Sequence, residues 1–367
     1  MFDPRVTKLA EVLVQYSTEV RPGDKVLLRG GAPSLPLIQA IYGEVIRAGG
    51  FPLPLMSPEG TKHMLFEYGN DEQLQFVHDP IKLIFETYDV FITVDASVNT
   101  MSMSNIPPAK VALNQGASRE VFSTVLKRYE AGNLRWMETL YPTQAYAQDA
   151  QMSLTEYENL VFGACVPDLD DPVGYWKRVS KQQQRTVEWL TGKKVIDVEG
   201  PEVRLHMCVE NRSFVNCDGK GNMPDGEIYT CPVEDSVEGH VKFSFPTVYG
   251  GRKMEGVELW IEQGRVVKAQ AESGEAFLQE MLNMDEGARS IGEFAIGTNA
   301  GIQGATGNCL YDEKIGGSFH LALGASAPDA GGLIESALHW DLVSDLRTGG
   351  RICADGELFY ENGELLI

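Results

Sequence analysis

The segment SALHWDLV, residues 336 to 343, sets His339 and Asp341 two positions apart. In an extended chain the period of two puts both side chains on one face, while Leu338, Trp340 and Leu342 take the other. Imidazole beside carboxylate is a donor pair that divalent metals take, although such a pair alone is more often a hydrogen-bonded core pair or a surface pair. His320 stands in GGSFHLALGASAPDAGG, where glycines that permit close backbone approach flank an apolar run. Three carboxylates have comparably unusual settings. Glu227 closes the turn sequence NMPDGE, Glu293 opens the apolar run EFAIG, and Glu313 lies in YDEKIGG just ahead of the His320 segment. Each has an ordinary alternative as a cap or a solvated turn residue, most plainly Glu313, which has Asp312 and Lys314 on either side. Burying any of them without a partner would be costly.

The elements that must position these residues fall into two textures. Residues 5 to 16 put Val6, Leu9, Val12, Leu13 and Tyr16 on one helical face. A turn and a short strand at Val26 to Leu28 follow, then a helix through Leu37, Ile38, Ile41, Val45 and Ile46, with Ser34 as its cap and Gly49-Gly50 as its stop. FPLPLM supplies the next strand, a β-α-β unit that calls for a parallel sheet. A further strand in DVFITVDAS ends at Asp95, the carboxyl end where open α/β sheets place functional groups. Gly30 and Gly31 invite a nucleotide-loop reading, but neither the dinucleotide nor the phosphate-loop glycine pattern is present. Residues 172 to 191 read as a long amphipathic helix, and GKK with VEGPEV as a joint between domains. Beyond about residue 200, alternating runs such as EVRLHMCV and GVELWIEQGRVVKAQA read as strands, interrupted by one helix near 275 to 284. The expected fold is an α/β N-terminal domain with a parallel sheet, residues 1–195, followed by a β-rich α+β C-terminal domain, residues 196–367, that carries the metal-binding residues.

The composition bounds the partners. A chain of 367 residues is long for one core, so two domains are expected. The net charge of -21 repels nucleic acid and anionic membrane surfaces. No stretch approaches the roughly 18 apolar residues of a membrane span. Six scattered cysteines without a Cys-x-x-Cys pair fit reduced thiols, and with an amphipathic start lacking a leader pattern they place the protein in the cytoplasm.

In this order and spacing NMPDGE, IGEFAIGTN, DEKIGGSFHLALG and SALHWD resemble the signature of the aminopeptidase T family of metallo-aminopeptidases, the thermophilic aminopeptidases. RPGDKVLLRG and ADGELFYENGELLI are similar as well, so the resemblance covers nearly the whole chain. It implies a hydrolase that removes the first residue from peptides with a free N-terminus, and a homodimer. It further implies two divalent ions, zinc or cobalt, carried by Glu227, Glu293, His320, His339 and Asp341, with Glu313 as a further ligand or as the acid/base that moves the proton. Glu293 is the implied shared ligand, with Glu227 and His320 leaning to one ion and His339 and Asp341 to the other. The residue types agree in kind, because two ions about 3.5 to 4 Å apart need a bridging carboxylate and flanking imidazoles and carboxylates.

One position departs from that pattern. Relatives carry a tyrosine seven residues after the histidine of HLALG, where this chain has Ala327. Losing one donor to a transition state costs roughly 3 kcal/mol in the barrier. Tyr229 and Tyr311 are the phenols nearest the expected ligands in sequence. Two other readings keep the same scaffold: a mononuclear iron dioxygenase that cleaves a dihydroxypyridine ring, and a catalytically weakened metal-binding homologue marked by Ala327. Against the first, a mononuclear oxygenase needs only about three protein ligands; against the second, the five expected ligands are intact.

Overall fold

The computed structural model describes residues 3–367. They form two compact units, one running to Trp176 and taking in Gly219–Met223, the other made of Lys177–Asp218 and Pro224–Ile367.

The first unit is built on a five-stranded parallel sheet in the order Phe51–Ser57, Lys25–Gly31, Val90–Asp95, Arg135–Leu140, Asn222–Met223. The opening helix, Pro4–Val12, starts where its sequence has a cap, with Asp3 accepting from the Arg5 amide and Pro4 in the first turn. The Leu35–Arg47 helix buries Leu37, Ile38, Ile41 and Val45, the stripe that its spacing predicts. It ends at Gly49, whose φ of 83° lies in the left-handed region. Ser34 does stand at its start, but its hydroxyl donates to the Gly31 carbonyl and not toward the helix amides. A helix that the pattern reading did not find, Pro108–Glu130, has its apolar residues spread around the axis, so no stripe announces it.

The second unit contains an eight-stranded antiparallel sheet and a five-stranded antiparallel sheet. The smaller sheet runs His339–Asp345, Ser318–Gly324, Ile291–Gly297, Glu227–Thr230, Val215–Cys217. Its register decides which side chains share a face. Ala322 lies opposite both Glu293 and Asp341, Gly324 opposite His339, Ala295 opposite both Tyr229 and His320, and Cys217 opposite Glu227. One face therefore carries the polar set with small residues between. The other carries Ile228, Phe294, Ile296, Phe319, Leu321, Leu323, Trp340 and Leu342, all buried in one apolar core with Ile196, Val198, Leu205, Leu259 and Ile352 of the larger sheet. The helix near 275 to 284 is Glu275–Leu282.

Candidate metal centre

Three local devices aim the polar face. Gly226 holds a φ of 119° and packs so closely on Asn299 that a Cβ would stand 3.0 Å from the Asn299 Cβ, which fixes the turn delivering Glu227. Between Ile291 and Glu293 the ladder slips by one residue. That bulge turns Ile291 into the core while Glu293, two positions on, faces the other way, a re-aiming that period-two alternation alone forbids. At the far edge Gly324 adopts a φ of 96° opposite His339, and a Cβ there would lie 2.2 Å from the Leu338 carbonyl oxygen.

All six residues singled out in the sequence come together. His320 Nε2 is 3.3 Å from Glu293 Oε1, 3.6 Å from Glu227 Oε2 and 4.0 Å from Asp341 Oδ1. His339 Nε2 is 3.5 Å from Asp341 Oδ1. Glu293, His339 and Asp341 each offer a ligand atom within 4.8 Å of the others. His339 Nδ1 lies 2.9 Å from the Ala325 carbonyl, which can only accept, so Nδ1 donates and Nε2 keeps its lone pair for the site. Glu313 approaches from the turn after Cys309–Asp312 and forms a close ion pair with Lys314.

The sequence reading missed Lys314 and Cys309. Instead of belonging to a solvated turn, Lys314 is fully buried, with Nζ 3.6 Å from Glu227 Oε1 and 4.0 Å from Asp225 Oδ1. Cys309 Sγ sits 3.1 Å from Glu313 Oε2 and 3.0 Å from Asp341 Oδ2. One signal for the thiol was available, the i, i+4 spacing of Cys309 and Glu313, which a single helical turn brings together.

The charges on these groups follow from burial against neighbours. Burial works against charging His320, but the hydrogen bond to Glu293 and the charges of Glu227 and Asp341 outweigh it and raise its pKa to about 9. Burial likewise opposes the Lys314 ammonium, yet Glu227, Glu313 and Asp225 hold it charged. Glu227 and Asp341 are pushed up by burial, partly countered by Lys314 and by His339 respectively. Burial also opposes ionisation of Glu313, but Lys314 and His320 outweigh it and hold that carboxyl below its ordinary range. Desolvation and the carboxylates of Glu313 and Asp341 push the Cys309 thiol up.

The arrangement fits divalent cations. Glu227 Oε2 and Asp341 Oδ1 are buried and without hydrogen-bond partners among the described residues, although both approach His320. Buried carboxylate oxygens demand a donor or a cation, and a mix of carboxylates and imidazoles is the donor set of zinc and cobalt enzymes. Of the two phenols considered for the place of a residue 327 tyrosine, Tyr311 is fully buried. Tyr229 lies on the polar face, its hydroxyl 2.9 Å from both carboxylate oxygens of Asp329. Ala327 itself is tied down through its backbone, both its amide and its carbonyl meeting Cys231 Sγ, at 3.3 and 3.4 Å.

Carboxylates and imidazoles converging on one sheet face of a two-unit α/β and β chain describe a metal-dependent enzyme. The sequence profile of the thermophilic metalloprotease family (M29) matches residues 2–365, and the chain belongs to that family. Among curated relatives it is 24% identical to aminopeptidase 2 of Geobacillus stearothermophilus, over 97% of this chain and 96% of that protein. It is 27% identical to aminopeptidase T of Thermus aquaticus, over 88% and 85% respectively. Among solved structures, wild-type AmpT from Thermus thermophilus superposes with a TM-score of 0.84 at 19% identity, covering 100% of both chains. The 2,5-dihydroxypyridine dioxygenase of Pseudomonas putida KT2440 gives 0.59 at 14% identity, over 99% of this chain and 96% of that one. Both structural likenesses speak to the fold.

Proposed function

We propose that the chain is a metallo-aminopeptidase that holds two divalent ions, zinc or cobalt, and removes the N-terminal residue from peptides. The observation that carries this is the gathering of Glu227, Glu293, His320, His339 and Asp341 on one sheet face, with two buried carboxylate oxygens that have no hydrogen-bond partner among the described residues. Glu293 is assigned the shared position because it touches His320 on one side and groups with His339 and Asp341 on the other. Divalent ions there would supply Lewis acidity toward a carbonyl oxygen and toward water.

The chain's own residues do the rest. Glu313 is assigned the proton transfer, since Lys314 and His320 keep it ionised and able to accept. Lys314 fixes one of its oxygens and leaves the other toward Asp341 through Cys309. Ala295 and Ala322, both fully buried, keep the face low enough for ions and a peptide end. Surplus carboxylates attract the free amine, which is why trimming starts at the N-terminus. Tyr229, steadied by Asp329, takes the place of the phenol that residue 327 lacks. Six donors exceed what a single iron of a ring-cleaving oxygenase requires, which argues against that reading.

The test is stepwise trimming of short peptides, followed by mass spectrometry, with protein reconstituted with zinc or cobalt. Serial loss of N-terminal residues that stops on chelation is expected. Glu293→Gln should fold, bind less metal and lose roughly 10²-fold or more in turnover. Intact peptides under every metal condition would overturn the assignment.

A further inference from the structure

Cys309 stands at the centre and the ligand set above leaves it without a role. Its sulfur stands between two carboxylate oxygens, Glu313 Oε2 at 3.1 Å and Asp341 Oδ2 at 3.0 Å. The three side chains offer ligand atoms within 4.8 Å of one another. In a tetrahedral site, zinc bonded to sulfur at about 2.3 Å and to carboxylate oxygen at about 2.0 to 2.2 Å sets sulfur and oxygen roughly 3.5 to 3.7 Å apart. The contacts found would open by roughly half an ångström to admit an ion. A second observation concerns the carboxylate that Cys309 touches: Asp341 is only 7% exposed, and its Oδ1, on the side of the histidines, has no hydrogen-bond partner among the described residues, so this carboxylate calls for a cation and Cys309 is the donor at its other oxygen. Asp341 thus presents one oxygen to the histidines and the other to the thiol.

We propose that Cys309 is itself a metal ligand, joining Asp341 to hold a borderline-soft divalent ion, zinc or cobalt, on the Asp341 side of the centre, beside the Glu313 carboxylate that is kept for proton transfer. This rests on the metal-centre reading and extends it, since a thiolate disfavours magnesium, calcium and manganese, which carboxylates alone accept. On binding, the S–H bond breaks, the sulfur keeps the electron pair and donates it to the ion, and the proton passes to solvent; no oxidant is involved.

Cobalt titration of the full chain tests this, because cobalt bound to thiolate has a near-ultraviolet charge-transfer band that oxygen and nitrogen ligands do not give. The band should grow with the first equivalents of cobalt and vanish in Cys309→Ser. That variant should still take up cobalt through the remaining donors, with affinity lowered roughly 10- to 100-fold. Cys217 groups with Asp225 and Glu227 in the same way and is the internal control. In Cys217→Ser the band should persist. Zinc should also protect Cys309 from alkylation, read by peptide mapping. Visible cobalt bands without the charge-transfer band, or a band that survives Cys309→Ser and disappears in Cys217→Ser, would overturn thiolate ligation while leaving the metal centre in place. Failure of the wild-type chain to bind cobalt at all would overturn the metal-centre reading together with this one.

Discussion

At the scale of residues, position 327 bears on the proposed chemistry. The family resemblance implies a tyrosine there; this chain has an alanine, whose backbone is engaged by Cys231 and which brings no side chain beyond its Cβ. Of the two phenols nearest in sequence, Tyr311 is sealed in the core, while Tyr229 stands two residues from Glu227 on the same face. Burial, the Asp329 charge and its hydrogen bond keep the Tyr229 phenol protonated; its one hydroxyl proton goes to Asp329 in this structure and would turn from it to a substrate oxygen in the reaction. Tyr229→Phe is therefore expected to lower kcat roughly 10²-fold with metal content and KM nearly unchanged, the pattern of a donor used in the transition state. Steady-state kinetics beside metal analysis separates that from a structural effect; an unchanged kcat would remove Tyr229 from the reaction.

At the scale of elements, the site depends on where single strands start, bulge and stop. Gly324 ends the Ser318–Gly324 strand opposite His339, and its amide donates to the Ser290 carbonyl at 2.9 Å. Because its φ is positive and a Cβ would meet the Leu338 carbonyl, Gly324→Ala should cost more than about 1 kcal/mol in stability. It should also weaken metal uptake, since Leu338 leads directly into His339; denaturant melts and metal titration of one sample check both. Much of this was legible in advance. Alternation in SALHWDLV correctly divided Trp340 and Leu342 from His339 and Asp341, because the face turned to the hydrophobic core must be apolar. The β-α-β opening was equally plain from its helical stripe and glycine stop. What escaped pattern reading were features without a period: the one-residue slip that turns Glu293 onto the polar face, the helix Pro108–Glu130 with no apolar stripe, and a buried Lys314 whose surroundings come from strands distant in sequence.

At the scale of the whole molecule, a charge of -21 is tolerable because most of the 52 acidic side chains face solvent, and the exceptions reveal where acidity is held against a cost. The metal centre is one such place. In the first unit two carboxylates that do reach solvent, Asp95 and Glu138, come from adjacent strands and line, with Arg29, Phe85, Phe122 and Trp136, a cavity of about 550 Å³. Desolvation first and the neighbouring Asp95 second raise Glu138 from 4.5 to about 7. Between those values the folded chain keeps a proton that the unfolded chain has released. The stability contributed by this group is therefore present below 4.5 and is lost as pH rises through about 7. Glu138→Gln keeps the side chain's shape without the charge and relieves Asp95 of its like-charged neighbour. Its thermal midpoint should exceed that of the wild type at about pH 8, and the two should converge toward about pH 4.5. Parallel melting curves across that range would mean that Glu138 ionises normally and that the Asp95 pair stores no repulsion in the folded chain.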